Sequence, residues 1–240
     1  LLLLNSLRTD KNEYLYIFPV GQGLSALLKS NDKTLLFDTG TYFRGYDSAR
    51  TTILPTLKSM NIHQLDNIVL SHDNQQHIGG TRTIRKAFPS AEMIVHKDLQ
   101  HMIDNSILCK NYSYESSGLI IQPLPMQTSC AFNITMQDKV IWLIANLSPN
   151  EWNKLIRDEP KPNVVLFPNK GRSKGFKIPT DWDDVILIGS TKIIHSDYSH
   201  HNIHNAYYGA IKLEISADKL SVESASDKEI FWWARPIEAI

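Results

Sequence analysis

The sequence predicts an α/β fold of two β-sheets packed together with helices on the outside, and three observations lead to it. Strand-like segments fall in two sets, each interleaved with helical ones, as two packed sheets with outer helices require. Short apolar runs bounded by turn residues, such as Ile68-Val69-Leu70, read as buried strands. A length of 240 residues with 42% apolar side chains fits one large domain, and no repeat, low-complexity tract or long charged run divides it.

The elements follow in order. Strands are expected at Glu13 to Phe18, Leu24 to Lys29 and Thr34 to Phe37, the last two joined by a turn at Asn31-Asp32. Ser48 to Met60 reads as a helix that Pro55 either kinks or delays. A strand at Ile68 to Leu70, a helix at Thr81 to Phe88 and a strand at Met93 to Val95 after the Pro89-Ser90 turn complete the first set. The second set holds strands near Leu119 to Ile121, Ser129 to Thr135 and Val140 to Ile144. A helix then begins at Ser148-Pro149, with Ser at the cap and Pro at the first helical position. Strands return at Val164 to Phe167, Val185 to Ile188, Ala210 to Ile215 and Leu220 to Glu223.

The segment from Ser71 to Gly80 carries the chemistry. It leaves a buried strand and enters a helix through Gly79-Gly80, and its outline is that of a metallo-hydrolase loop, H-x-[HD]-x-D-H. In the intact pattern the polar positions surround two adjacent metal ions that activate a bridging water. Here the slots hold His72, Asn74, Gln76 and His77. Neutral amides offer neither anionic oxygen nor imidazole nitrogen, so a binuclear centre is expected to be crippled.

Twenty-five basic and 25 acidic residues give no net charge, so nucleic-acid contact, if made, needs a local patch. The chain opens on Leu1 to Leu4, an apolar stub far shorter than the roughly 20 residues that span a bilayer. It reads either as the end of a membrane helix cut from a longer chain or as an ordinary strand or terminus. Cys109 and Cys130 read either as reduced, buried thiols or as a disulfide formed in an oxidising compartment.

Several motifs together carry a resemblance. Phe18-Pro19-Val20-Gly21-Gln22-Gly23, Leu36-Phe37-Asp38-Thr39-Gly40, Ile53-Leu54-Pro55-Thr56-Leu57, Leu65 to His72 and Ile78-Gly79-Gly80 occur in the order seen in the metallo-β-lactamase-like domain of the ComEC family. Cys109, Thr128-Ser129-Cys130, Tyr208-Gly209-Ala210-Ile211 and Ile230-Phe231-Trp232-Trp233 extend the resemblance over nearly the whole chain from Glu13. ComEC proteins are bacterial membrane channels that import DNA during natural transformation. The resemblance implies an αββα sandwich over residues 13–240 at the extracytoplasmic, or periplasmic, face of the inner membrane. Residues 1–12 then become a tail following a membrane helix. It also implies a metal-dependent nuclease acting on the strand that is not imported, with the rest of the channel and other competence proteins as partners, and a disulfide between Cys109 and Cys130.

The likeness departs from the family pattern at the metal site. Asn74 and Gln76 stand where the family has Asp, and Asn146 stands where a metal-bridging Asp is expected. Pro168 to Ser173, with Lys170 among them, replaces a His-His-Gly-Ser motif, and Pro19 replaces an Asp. His72, His77 and Asp38 remain, Asp38 also being readable as a turn residue bonded to loop backbone. The expectation is a degenerate, non-catalytic domain with no cofactor, or at most one weakly held ion at His72 and His77. A zinc- or manganese-dependent nuclease working through a remodelled site is the alternative. The tract His195 to His204 either supplies replacement ligands or forms a polar loop.

Lys170, Arg172, Lys174 and Lys177 lie in a Gly-rich loop and are the expected DNA contacts, weak and independent of base sequence; the other reading is a solvated loop. By residue type alone, Phe176 or Tyr198 is a candidate to stack a base.

Overall fold

The computed structural model describes residues 13–167, 176–182, 184–189 and 202–225. Its first half runs β1 (Tyr14–Ile17), β2 (Ala26–Lys29), β3 (Thr34–Phe37) and a small hairpin of β4 (Tyr42–Phe43) and β5 (Tyr46–Asp47). A π-helical turn at Ala49–Ile53 leads into α1 (Leu54–Ser59), followed by β6 (Asn67–Leu70), α2 (Gln75–Ile78), α3 (Thr81–Ala87), β7 (Glu92–Val95) and β8 (Ile107–Leu108). The second half holds β9 (Tyr114–Ser116), β10 (Leu119–Pro123), β11 (Ala131–Met136), β12 (Lys139–Ile144) and α4 (Pro149–Asp158). Next come β13 (Val164–Leu166), β14 (Ile186–Gly189) and β15 (Asn202–Asn205), before β16 (Ile211–Ile215) and β17 (Leu220–Ser224) close the chain's described part.

Two mixed sheets result. The first has the order β17-β16-β1-β2-β3-β6-β7-β8, the second β15-β14-β13-β12-β11-β10-β9. Each is antiparallel at one end and parallel at the other: β3, β6, β7 and β8 run parallel, as do β12, β13, β14 and β15.

Side-chain alternation explains the layers, because successive residues of a strand point to opposite faces. Leu15, Ile17, Leu28, Phe37 and Val69 of the first sheet meet Phe132, Ile134, Leu143 and Leu166 of the second in the central core. The alternate set Leu27, Leu36, Ile68 and Leu70 packs outward on Ile53, Leu57, Ile84 and Phe88 of the helical layer. On the far side Trp142, Ile144 and Val165 pack on Trp152 and Leu155 of α4. Strands covered on both faces read as continuous apolar runs, as Ile68-Val69-Leu70 does. This is the αββα sandwich that the sequence resemblance implied.

Local departures have local causes. The helix expected over Ser48 to Met60 is a π-helical turn followed by α1, and Pro55 sits in the first turn of α1, where its missing N–H breaks no bond. The β4–β5 hairpin and the four-residue α2 were not expected. Part of the histidine tract is strand, since Asn202, Ile203 and His204 belong to β15; His195 to His201 lie outside the described residues. Cys109 and Cys130 are disulfide-bonded, with Cα atoms 5.8 Å apart, which ties the segment after β8 to the start of β11.

Candidate functional site

The site lies where the parallel strands β3 and β6 end side by side, a crevice that α/β sheets commonly use for ligands. Asp38 follows β3 directly. It is fully buried and takes a left-handed backbone conformation, φ 60°, which Asp tolerates better than most residues. Its Oδ1 accepts the backbone N–H of Ser71 at 2.8 Å, and its Oδ2 lies 2.7 Å from both Ser71 Oγ and His77 Nδ1. Ser71 Oγ is also 2.9 Å from His72 Nδ1.

These contacts assign the protons. A carboxylate only accepts, so Ser71 Oγ–H and His77 Nδ1–H both donate to Asp38. With its one proton committed, Ser71 Oγ accepts from His72 Nδ1–H. Both imidazoles are thereby held through Nδ1, and their ring centroids lie 4.2 Å apart. Asp38 is thus more than a turn residue, since it sets the orientation and tautomer of the histidine pair.

The rest of the loop is built around α2. Asn74 is its N-cap, and the Asn74 side-chain oxygen accepts the backbone N–H of Gln76 at 2.8 Å. Its amide therefore has a structural task. The carbonyl of Gln76 accepts from Leu24 N at 3.1 Å and that of His77 from Thr39 N at 2.7 Å, so the loop is stitched to the first sheet. Gly79 N donates to Gly40 O at 3.0 Å, and a Cβ at Gly79 would collide with the backbone of Tyr42 and Gln75. That close approach explains the glycine after Ile78.

Asn146 follows β12 and reaches the same place through Ser129. Ser129 Oγ donates to Asn146 O at 2.5 Å and accepts from Asn146 N at 3.2 Å, while Cys130 N donates to Ser71 O at 2.8 Å. The disulfide therefore sits one residue from the Ser71–Asp38 network. Glu151 braces the approach: it completes the capping box of α4 with Ser148 and also accepts from Gln127 N, Thr128 N and the Thr128 hydroxyl. Partial burial pushes the Glu151 carboxyl up, but the hydrogen bonds from Thr128, Ser148 and Gln127 outweigh it and hold the group at about 2.

His72, Asn74, Gln76 and His77 thus share one loop, with Asn146 on the neighbouring strand end, whereas Lys170, Arg172 and Lys174 lie outside the described residues. Lys177 is exposed. Phe176 corrects an expectation. It is 3% exposed and packs on Trp152 and Phe167, so it has no face to offer a base. Tyr198 lies outside the described residues.

Two polar groups here escaped the sequence reading. Ser71 was given no role of its own, yet its hydroxyl connects Asp38 to His72. His96, buried at the end of β7, places Nε2 2.9 Å from Gln127 O. Its only sequence signal was a polar residue at the carboxyl end of an apolar run.

Among the described residues no group of three or more His, Cys, Asp or Glu could hold a metal ion. Amides at 74, 76 and 146 leave, among the described residues, a donor set that does not fit a binuclear centre, which takes carboxylates or imidazoles at such positions. What the described site offers is a preorganised pair of imidazoles on a rigid loop.

Residues 18–125 match the family model of the metallo-β-lactamase superfamily. The chain is 26% identical over 243 residues to Recombination protein 2 of Haemophilus influenzae, covering 91% of this chain and 31% of that protein. It is 40% identical over 70 residues to Competence protein ComA of Neisseria gonorrhoeae, covering 29% of this chain and 10% of that protein. The chain thus spans about a third, 31%, of the length of the Haemophilus relative. Among solved structures, the metallo-β-lactamase fold protein YhfI of Bacillus subtilis superposes with a TM-score of 0.53 at 12% identity, covering 80% of this chain and 96% of that one. A Cronobacter sakazakii metallo-β-lactamase with a HARLDQ motif gives 0.52 at 14% identity, covering 64% and 69%. At these identities the structural likeness speaks for the fold alone.

Proposed function

This chain carries a metallo-β-lactamase superfamily domain of the kind found in ComEC-type competence proteins, and on that premise we propose that it is a non-catalytic, DNA-handling domain of a DNA-internalisation channel. The observation that carries the reading is the engagement of Asn74 as the cap of α2, with amides also at Gln76 and Asn146. The fold and the Asp38–Ser71–histidine scaffold persist while the charged oxygens that offset a metal's charge do not. Changes at four positions, Asn74, Gln76, Asn146 and Lys170, argue for loss of hydrolysis rather than exchange of one ligand.

The Cys109–Cys130 disulfide supports an extracytoplasmic setting, because such bonds persist in oxidising compartments. Among the described residues no helix is long and apolar enough to cross a membrane. The DNA contacts are Lys170, Arg172, Lys174 and Lys177. Four neutralised phosphates of duplex DNA give a slope of about −3.6 in log K against log salt, at roughly −0.9 each. Reversing the charge of Lys170 and Arg172 flattens that slope and weakens binding equally for all sequences. Unchanged affinity and slope in the double variant move the contact elsewhere, and no binding by the unmodified chain at low salt leaves a supporting role in the channel.

One observation favours the alternative, a metal-dependent nuclease with a remodelled site. Both imidazoles are anchored through Nδ1, His77 to the Asp38 carboxylate and His72 to Ser71, as the outer-sphere partners of metal-binding histidines are arranged. DNA cleavage that requires zinc or manganese and is abolished by His72→Ala would establish it.

A further inference from the structure

Beside the site stands the β4–β5 hairpin, whose aromatic side chains face solvent. Tyr42 is 49% exposed, Phe43 63% and Tyr46 40%. Nothing in the site just described uses them. Contiguous apolar surface left in water commonly marks a binding site.

The hairpin is held firmly. Its turn residues Arg44 and Gly45 both have positive φ, 48° and 85°, the backbone of a tight two-residue β-turn. At its base, Asp47 Oδ1 accepts from Ala49 N at 2.9 Å and Oδ2 from Thr83 Oγ1 at 2.6 Å, pinning the hairpin to α3. Gly79 packs against the backbone of Thr41 and Tyr42, so the hairpin also abuts the histidine loop.

The register places Phe43 opposite Tyr46, and residues so paired project from the same face with Cβ atoms about 4.5–5.5 Å apart. Arg44 lays its guanidinium 5.1 Å from the Phe43 ring centre. The flanking segments are rich in cations. Arg44, Arg50, Lys58, Arg82, Arg85 and Lys86 are exposed across residues 39–59 and 79–88, where Asp47, the one acid, is buried in its capping role, and the exposed acid Asp73 lies in the loop before α2.

We propose that this hairpin is a stacking platform for unpaired bases, with Phe43 and Tyr46 meeting base faces and Arg44 a phosphate. Aromatic rings set among cations suit single-stranded nucleic acid, which alternates flat apolar bases with anionic phosphates. A duplex hides its base faces and binds less well here. A second copy of the chain would bring like charges together, and three aromatic side chains fall far short of the roughly 1,000 Å² that a stable protein interface buries. The inference rests on the DNA-handling reading and adds to it the state of the strand that is bound.

The test is fluorescence anisotropy of the 240-residue chain with a labelled oligothymidylate and with a duplex of equal length. The chain binds the single strand more tightly. Phe43→Ala/Tyr46→Ala weakens single-strand binding about tenfold or more with the salt slope unchanged, as loss of stacking requires. Arg44→Gln reduces the magnitude of that slope by about 0.7. All three side chains are exposed, and circular dichroism checks that each variant is folded. Single-strand binding unaffected by the aromatic pair overturns the platform and leaves the DNA reading intact. Absence of binding to either oligonucleotide overturns both. Anionic phospholipid vesicles binding in place of DNA, and losing affinity in the aromatic variant, overturn the inference in favour of a membrane contact.

Discussion

Removal of the Asp38 carboxylate is the most informative single perturbation of the scaffold. In Asp38→Ala, Ser71 N–H, Ser71 Oγ–H and His77 Nδ1–H all lose a fully buried acceptor. The Ser71 hydroxyl can turn toward His72 Nδ1, 2.9 Å away, if that ring changes tautomer, whereas Ser71 N and His77 Nδ1 lose their partner whichever tautomer His77 adopts, so two buried polar groups stay orphaned. At about 1–3 kcal/mol each, with about 1 kcal/mol more for alanine in a left-handed conformation, the loss is about 3–7 kcal/mol, against a total stability of about 5–15 kcal/mol. Asp38→Asn behaves differently. Its oxygen still accepts from Ser71 N, and its NH₂ meets Ser71 Oγ and a His77 ring whose proton has moved to Nε2, so the loss is about 1 kcal/mol. Urea unfolding monitored by tryptophan fluorescence separates the variants, and nitrogen NMR of the imidazoles reads the tautomer. An Asp38→Ala protein within 1 kcal/mol of the parent, or Asp38→Asn as damaging as Asp38→Ala, would refute the proton assignment.

Two further outcomes follow from the same region. Reducing the Cys109–Cys130 bond, which closes a loop of sequence separation 21, lowers stability by roughly 3 kcal/mol on the chain-entropy estimate; equal urea midpoints with and without reductant would show that the cross-link is idle. Glu151 has a folded value of about 2, below its ordinary 4.5, so its contribution is complete above about pH 4.5 and fades as pH falls toward 2. Because the group is largely solvent-screened the effect is small, and Glu151→Gln is expected to flatten the acid limb of the stability curve between those values; a parallel curve in the variant would contradict the assignment.

How far the sequence reads depends on what each segment must satisfy. Strands buried on both faces, such as Asn67–Leu70, declare themselves as apolar runs because both neighbours are dry layers. The β4–β5 hairpin did not, because two-residue strands carry no alternation and Arg44-Gly45 is not a typical hairpin turn sequence. Asn74 at the head of α2 was a legible N-cap signal overshadowed by its place in a metal-loop pattern. Phe176 looked available because it adjoins cations in sequence, whereas in space it belongs to the tryptophan cluster under α4. The cysteine pairing came from family resemblance, since spacing alone left it open. Ser71 and His96 act through tertiary contacts to Asp38 and Gln127, which linear order cannot display.

On the proposed reading the metallo-hydrolase scaffold persists here without a competent metal centre. The most direct test of that reading is metal stoichiometry, measured by mass spectrometry after saturation with zinc or manganese and exhaustive dialysis, for the parent chain and for Asn74→Asp/Gln76→Asp/Asn146→Asp. The parent is expected to hold well below one ion per chain and the variant to retain more metal, because the restored carboxylates offset the ion's charge. One or two tightly held ions in the parent, lost on His72→Ala, would contradict it.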